Sequence, residues 1–127
     1  EETATGPLVV LATMPGESHG LGLQMAALVL CGRGLRVLSL GTEVPLVEIA
    51  ALAARTEAAA VGISISASSS PKAPSGIATL RSELSKKIEL VAGGAGAPES
   101  VRGVTTFSNL RGLDEWGENL LRTRTRR

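Results

Sequence analysis

The chain is short of aromatic rings, cysteine and aspartate, and each shortage removes a class of function. Aromatics are 2% of the 127 residues, Phe107 and Trp116, with no tyrosine. Sites that grip a flat ligand between stacked rings therefore have too little material, and the flanked flavin site usual in small α/β proteins is one of them. A single cysteine, Cys31, excludes an intramolecular disulfide framework and a cysteine zinc cluster, and fits a reducing, cytoplasmic setting. No apolar run approaches the ~20 residues of a membrane-spanning helix, and no basic-then-apolar signal opens the chain. Thirteen Lys and Arg against twelve Asp and Glu leave a net charge of +1, which argues against a nucleic-acid-coating domain. The chain opens Glu1-Glu2-Thr3 without a methionine, so it is expected to be cut from something longer.

What is present is enough for one globular domain. Apolar residues are 43% and charged residues 20%, outside the disordered range. The expected domain is the whole chain, 1–127, with an ordered core at about 7–121 and a basic tail at 122–127. Short β-rich runs at Pro7–Ala12, Leu35–Leu40, Ala59–Ser64, Ile88–Ala92 and Val104–Phe107 lack a clean in/out alternation, as in strands buried on both faces. Helical stretches lie between them at Gly20–Gly32, Pro45–Thr56, Pro74–Lys87 and Leu113–Arg122. Repeated strand–helix alternation means parallel strands with right-handed crossovers. The expected fold is a flavodoxin-like, doubly wound, five-stranded α/β sheet of order 2-1-3-4-5 with helices on both faces. Its ligands would bind where the strand order reverses, between the first and third strands. Arg122, Arg124, Arg126 and Arg127 read as a solvated end to the last helix, or as a weak phosphate contact.

Function has to come from the loops, and most catalytic uses fail there. A receiver domain needs carboxylates at the ends of strands one and three, yet the only aspartate is Asp114. Gly16, Gly20 and Gly22 have the wrong spacing for a dinucleotide fingerprint, and there is no Gly-Lys-Ser/Thr phosphate loop. No G-x-S-x-G elbow exists to pair a serine with His19.

Three features remain at one sheet edge. The loop after the first strand, Met14-Pro15-Gly16-Glu17-Ser18-His19-Gly20-Leu21-Gly22, holds the only histidine. A lone loop histidine is usually an ordinary surface residue. Glu17, two residues earlier, changes that: a carboxylate that accepts one ring N–H fixes the tautomer and raises the basicity of the other nitrogen, as around metal-bound histidines. The third strand runs into Ser64-Ile65-Ser66-Ala67-Ser68-Ser69-Ser70, either a plain loop or a narrow polar wall. The fourth runs into Gly93-Gly94-Ala95-Gly96, where missing side chains leave room for something bulky. Together they describe a slot with an imidazole above it, suited to a large ligand that carries a metal at one end.

These residues resemble a cobalamin-binding domain of the methionine-synthase and methylmalonyl-mutase type. That family carries D-x-H-x-x-G, S-x-L and G-G after strands one, three and four. Here the matching residues are Glu17-x-His19-x-x-Gly22, Ser64-Ile65-Ser66 and Gly93-Gly94. Leu40-Gly41-Thr42-Glu43-Val44-Pro45 resembles the family's L-G-x-x-V-P. The resemblance implies base-off, His-on binding of cobalamin. His19 would be the cobalt ligand and Glu17 its orienting partner. The nucleotide tail would lie beside Ser64, Ser66, Gly93 and Gly94, and Ala95 would also contact the cofactor. Ser18, Gly20, Leu21, Thr106, Phe107 and Ser108 would flank the corrin. Serine at 66 replaces the family's leucine and bears on how the tail is gripped.

Glutamate at 17 makes the first motif similar to that of light-sensing MerR-type transcriptional regulators of the CarH/LitR kind. That resemblance implies a sensor that binds adenosylcobalamin, assigns no catalytic residue to this chain, and implies DNA binding through an absent N-terminal helix-turn-helix and a homotetramer. No membrane partner is implied. The alternatives are the corrinoid domain of a cobalamin-dependent methyltransferase or mutase, with catalytic groups elsewhere, and a degenerate module that only contacts proteins.

Overall fold

The computed structural model describes residues 6–68 and 71–124. Ser69, Ser70, Arg126 and Arg127, singled out above, lie outside the described residues. The order is β1 (Leu8–Ala12), α1 (Leu21–Gly32), β2 (Arg36–Ser39), α2 (Leu46–Arg55), β3 (Ala60–Ser64), α3 (Ala73–Glu83), β4 (Glu89–Gly93), β5 (Thr105–Phe107) and α4 (Leu110–Arg124). The sheet runs β2-β1-β3-β4-β5 and every pairing is parallel. This is the expected five-stranded flavodoxin-like order, with its switch point between β1 and β3.

Side-chain alternation along the buried strands divides the core in two. Val10, Ala12, Val61, Ile63, Leu90 and Ala92 face one side and pack with Ile49 and Ala53 of α2 and Ile77 and Leu80 of α3. Val9, Leu11 and Ala60 face the other and pack with Leu23 and Leu30 of α1 and Leu113 and Leu120 of α4. Trp116 joins this second layer from α4. Its ring lies 6.2 Å from Phe107, and its indole N–H donates to Glu89 at 3.0 Å.

Several helix boundaries differ from the expected ones. Pro45 caps α2 instead of opening it, with ψ at 141°. Helix α3 stops at Glu83, short of Lys87, because Leu84 turns extended and is buried. Helix α4 starts three residues before Leu113, where the Asn109 side chain accepts the N–H of Gly112 at 3.0 Å, a typical N-terminal cap. It continues through Arg124, whose guanidinium donates to the carbonyl of Lys87.

The glycines after β4 also differ in meaning from the expected open slot. At Gly94, with φ at +114°, an added Cβ would run into the backbone carbonyl of Ile65, and at Gly96 it would run into that of Ser66. Here the chain's own loop after β3 lies across the glycines, joined by Gly96 N–H to Ile65 O at 3.0 Å. Gly94→Ala is therefore expected to cost about 3 kcal/mol through backbone strain and overpacking. Gly32→Ala, whose added methyl meets nothing within 4 Å, is expected to stabilise by up to about 1 kcal/mol. Urea unfolding followed by Trp116 fluorescence measures both, and equal effects would overturn the assignment.

Candidate cofactor site

The loop from β1 to α1 is shaped at its start. Pro15 and Gly16, the latter at φ +88°, form a turn closed by the Glu17 N–H on the Met14 carbonyl at 3.0 Å, the residue pattern of a type II turn. It drives the Glu17 side chain inward, to 5% exposure.

A buried carboxylate has to be satisfied, and Glu17 is. The Ser66 backbone N–H donates to Oε1 at 2.8 Å, and the Ser66 hydroxyl reaches Oε1 at 3.0 Å and Oε2 at 2.9 Å. His19 gives Oε2 its backbone N–H at 3.2 Å and its ring Nδ1 at 3.0 Å. Burial pushes the Glu17 pKa up, but the hydrogen bonds from Ser66 and His19 together outweigh it and hold the carboxyl below the ordinary glutamate range. An ionised carboxylate only accepts, so the neutral ring carries its proton on Nδ1 and keeps a lone pair on Nε2. The His19 side chain is 61% exposed.

Beside this group a cavity of about 250 Å³ opens between the sheet, α1 and α4. Gly62, Ser64 and Gly93 form its floor, and Gly22, Leu23 and Leu113 are among its walls. Alternation explains the opening: Gly62, Ser64 and Gly93 project toward α1 and α4, where longer side chains would close it. Phe107, Ser108 and Asn109 line it from the end of β5. Gly22 is held open from one side, since an added Cβ would stand 2.8 Å from the Ser64 hydroxyl.

The residues singled out from sequence are thus divided. Gly22, Ser64, Gly93, Gly94, Phe107 and Ser108 line the cavity. Glu17, His19 and Ser66 form the hydrogen-bonded group. Ser66 stands apart from the cavity lining and holds the carboxylate. Ser18, Leu21 and Ala95 are exposed, Gly20 is half-buried, and the Thr106 hydroxyl is spent on the Glu99 carbonyl at 3.2 Å. Gly62 and Asn109 were not singled out. The alternation of Ala60-Gly62-Ser64 carries a signal for the first, but nothing local marks the second as cavity-lining.

Among the described residues no three His, Cys, Asp or Glu side chains are grouped to hold a metal ion. A metal at His19 would have to arrive with most of its ligands in place, as in a macrocycle. The donor, the apolar cavity and its glycines suit a corrinoid with an extended tail.

The comparisons agree with this chemistry. The model of the B12 binding domain family matches residues 7–118, and the chain belongs to that family. The monomethylamine corrinoid protein of Methanosarcina barkeri superposes with a TM-score of 0.71 at 19% identity, covering 89% of this chain and 57% of that one. The methanol:cobalamin methyltransferase complex MtaBC of the same organism gives 0.79 at 17%, covering 91% and 46%. A cobalamin-binding protein of Desulfitobacterium hafniense gives 0.64 at 24%, covering 74% and 47%. The chain spans about half the length of these proteins, and the likeness speaks for the fold. No curated protein sequence matches significantly. No helix among the described residues is long and apolar enough to cross a membrane.

Because the folded-state pKa of Glu17 is lowered, its stabilising contribution is full above the ordinary glutamate pKa and is lost as pH falls through the folded value. Ser66→Ala removes a hydroxyl bond to the charged form and is expected to cost about 1.5–3 kcal/mol at neutral pH. Denaturant unfolding at stepped pH should show the gap from wild type closing in acid. A gap that stays constant would mean that Ser66 acts independently of the charge.

Proposed function

We propose that this domain binds a corrinoid base-off and His-on, and serves as the corrinoid module of a methyl-transfer system. The observation that carries the binding mode is the Glu17-held ring of His19, with Nε2 available, beside a glycine-floored apolar cavity. His19 would ligate cobalt through Nε2, and Glu17 would hold the proton on Nδ1. Gly22, Ser64, Gly93, Phe107 and Ser108 would enclose the nucleotide tail, with Gly20, Leu21, Ala95 and Thr106 nearer the corrin. When bound, a corrinoid supplies a cobalt ion able to carry an alkyl group. The methyl-transfer role is supported by two of the proteins sharing the fold, a monomethylamine corrinoid protein and a methanol:cobalamin methyltransferase complex. Catalytic groups would then belong to a partner methyltransferase.

A second reading is favoured by one residue. Glu17, in place of aspartate, resembles the light-sensing MerR-type regulators. On that reading the cofactor is adenosylcobalamin, and DNA binding and tetramer assembly belong to the longer protein.

Dark reconstitution with hydroxocobalamin and adenosylcobalamin, followed by gel filtration and absorption spectra, tests the shared core. Wild type is expected to retain a corrinoid with a histidine-ligated spectrum, and His19→Ala to lose that spectrum. Gly93→Leu should lower retention at least about tenfold, since an added Cβ there makes only ordinary contact with Phe107 while the longer side chain fills the cavity. Retention unchanged by Gly93→Leu would move the tail elsewhere. In the longer protein, methyl transfer with a methyltransferase partner supports the carrier reading. Adenosylcobalamin-dependent assembly that is lost on illumination supports the sensor.

A further inference from the structure

Thr13 directly follows β1, and its side chain is fully buried. Its hydroxyl donates to the Glu17 carbonyl at 2.7 Å and accepts the Glu43 N–H at 2.8 Å. Its backbone N–H donates to Gly41 O at 3.1 Å, and its carbonyl accepts the Val44 N–H at 3.0 Å. One residue thus ties the loop carrying His19 to the loop after β2.

That second loop is held in an unfavourable shape. Glu43 has φ at +56°, a left-handed conformation that costs an L-residue energy and persists only when its surroundings enforce it. Its N–H is held by the Thr13 hydroxyl, and the flanking Gly41 carbonyl and Val44 N–H are held by the Thr13 backbone. The loops also lie close together, since a Cβ added at Gly20 would stand 3.3 Å from the Thr42 methyl. Glu17 is therefore pinned at both backbone groups, its N–H by Met14 O and its carbonyl by Thr13, before its carboxylate reaches His19.

We propose that Thr13 is the positioning residue for His19: acting through the Glu17 backbone, it sets where Nε2 stands and couples that position to the loop at 40–45. The proposal rests on the corrinoid reading of the site. Thr13 does not line the cavity, so its hydroxyl bears on ligation and leaves tail retention largely alone. A merely structural role would weaken both together.

The test uses the 127-residue chain labelled with nitrogen-15 histidine, loaded with hydroxocobalamin and reduced to cobalt(II). In the electron paramagnetic resonance spectrum a labelled imidazole splits each line into two, whereas the corrinoid's own nitrogen base splits it into three. Gel filtration reads retention in parallel. Wild type is expected to show the two-line pattern. Thr13→Val should lower the equilibrium constant for histidine ligation, read from the ratio of two-line to three-line signal, about fivefold to tenfold, the equilibrium weight of roughly one lost hydrogen bond, with retention nearly unchanged. Thr13→Ser should restore the pattern. If circular dichroism shows that Thr13→Val does not fold, Thr13→Cys takes its place. Undiminished two-line splitting in the variant, or splitting and retention lost in proportion, overturns the role of Thr13. A wild type that retains no corrinoid, or shows only the three-line pattern, overturns the His-on reading itself.

Discussion

The carboxyl edge of this domain depends on a carboxylate taken out of water. Glu17 is almost wholly buried, and such a group is tolerated only where donors meet it. Two of those donors, the backbone N–H and hydroxyl of Ser66, come from 49 residues further along the chain. They reach it because β1 and β3 are neighbours in the sheet, so the loops that follow them leave the same edge side by side. Satisfying Glu17 therefore requires the switch-point topology. Once satisfied, the same carboxylate fixes the tautomer and direction of His19 at the surface.

The cavity has a different cause. It is an interruption in the packing of one face, placed where Gly62, Ser64 and Gly93 all project toward α1 and α4. The opposite face carries Ile63, Ile65 and Ala92 at the neighbouring positions, packed with side chains of α2 and α3. The α1/α4 layer holds a space of about 250 Å³ over these positions, and a second of about 260 Å³ lies on the other side, between the Glu17 loop, Leu46 and α3. Phe107 and Trp116, the two aromatic rings of the chain, lie together on the α1/α4 layer. Phe107 joins the cavity wall, and Trp116 braces α4 against Glu89.

Much of the architecture is legible in sequence because the signals are local. Short β-rich runs mark every strand, several of them bounded by Gly or Pro, and the alternation with helices leaves few topologies. The Glu17–His19 pairing is legible for the same reason, since two residues of separation put both groups on one turn. Ser66 is the instructive departure. Set against the family motif, its serine reads as a weakened grip on a nucleotide tail. In the fold it is a hydrogen-bond donor to Glu17. The glycines after β4 are similar: Gly93 faces the cavity, but Gly94 and Gly96 lack side chains because the backbone of residues 65 and 66 lies against them. A glycine run in sequence does not say which neighbour requires it.

The sequence by itself determined the element order, the parallel sheet and the carboxylate–imidazole pair, because all three follow from spacing over a few residues and from chain connectivity. Only the tertiary structure decided what Ser66 and Thr13 touch, which glycines face a cavity and which face backbone, and that Gly62 belongs to the floor. Most of those relations join residues about 30 or more positions apart, such as Thr13 with Glu43 and Glu17 with Ser66. Such contacts arise when strands distant in sequence become neighbours, and no local pattern records which side chain will lie opposite which.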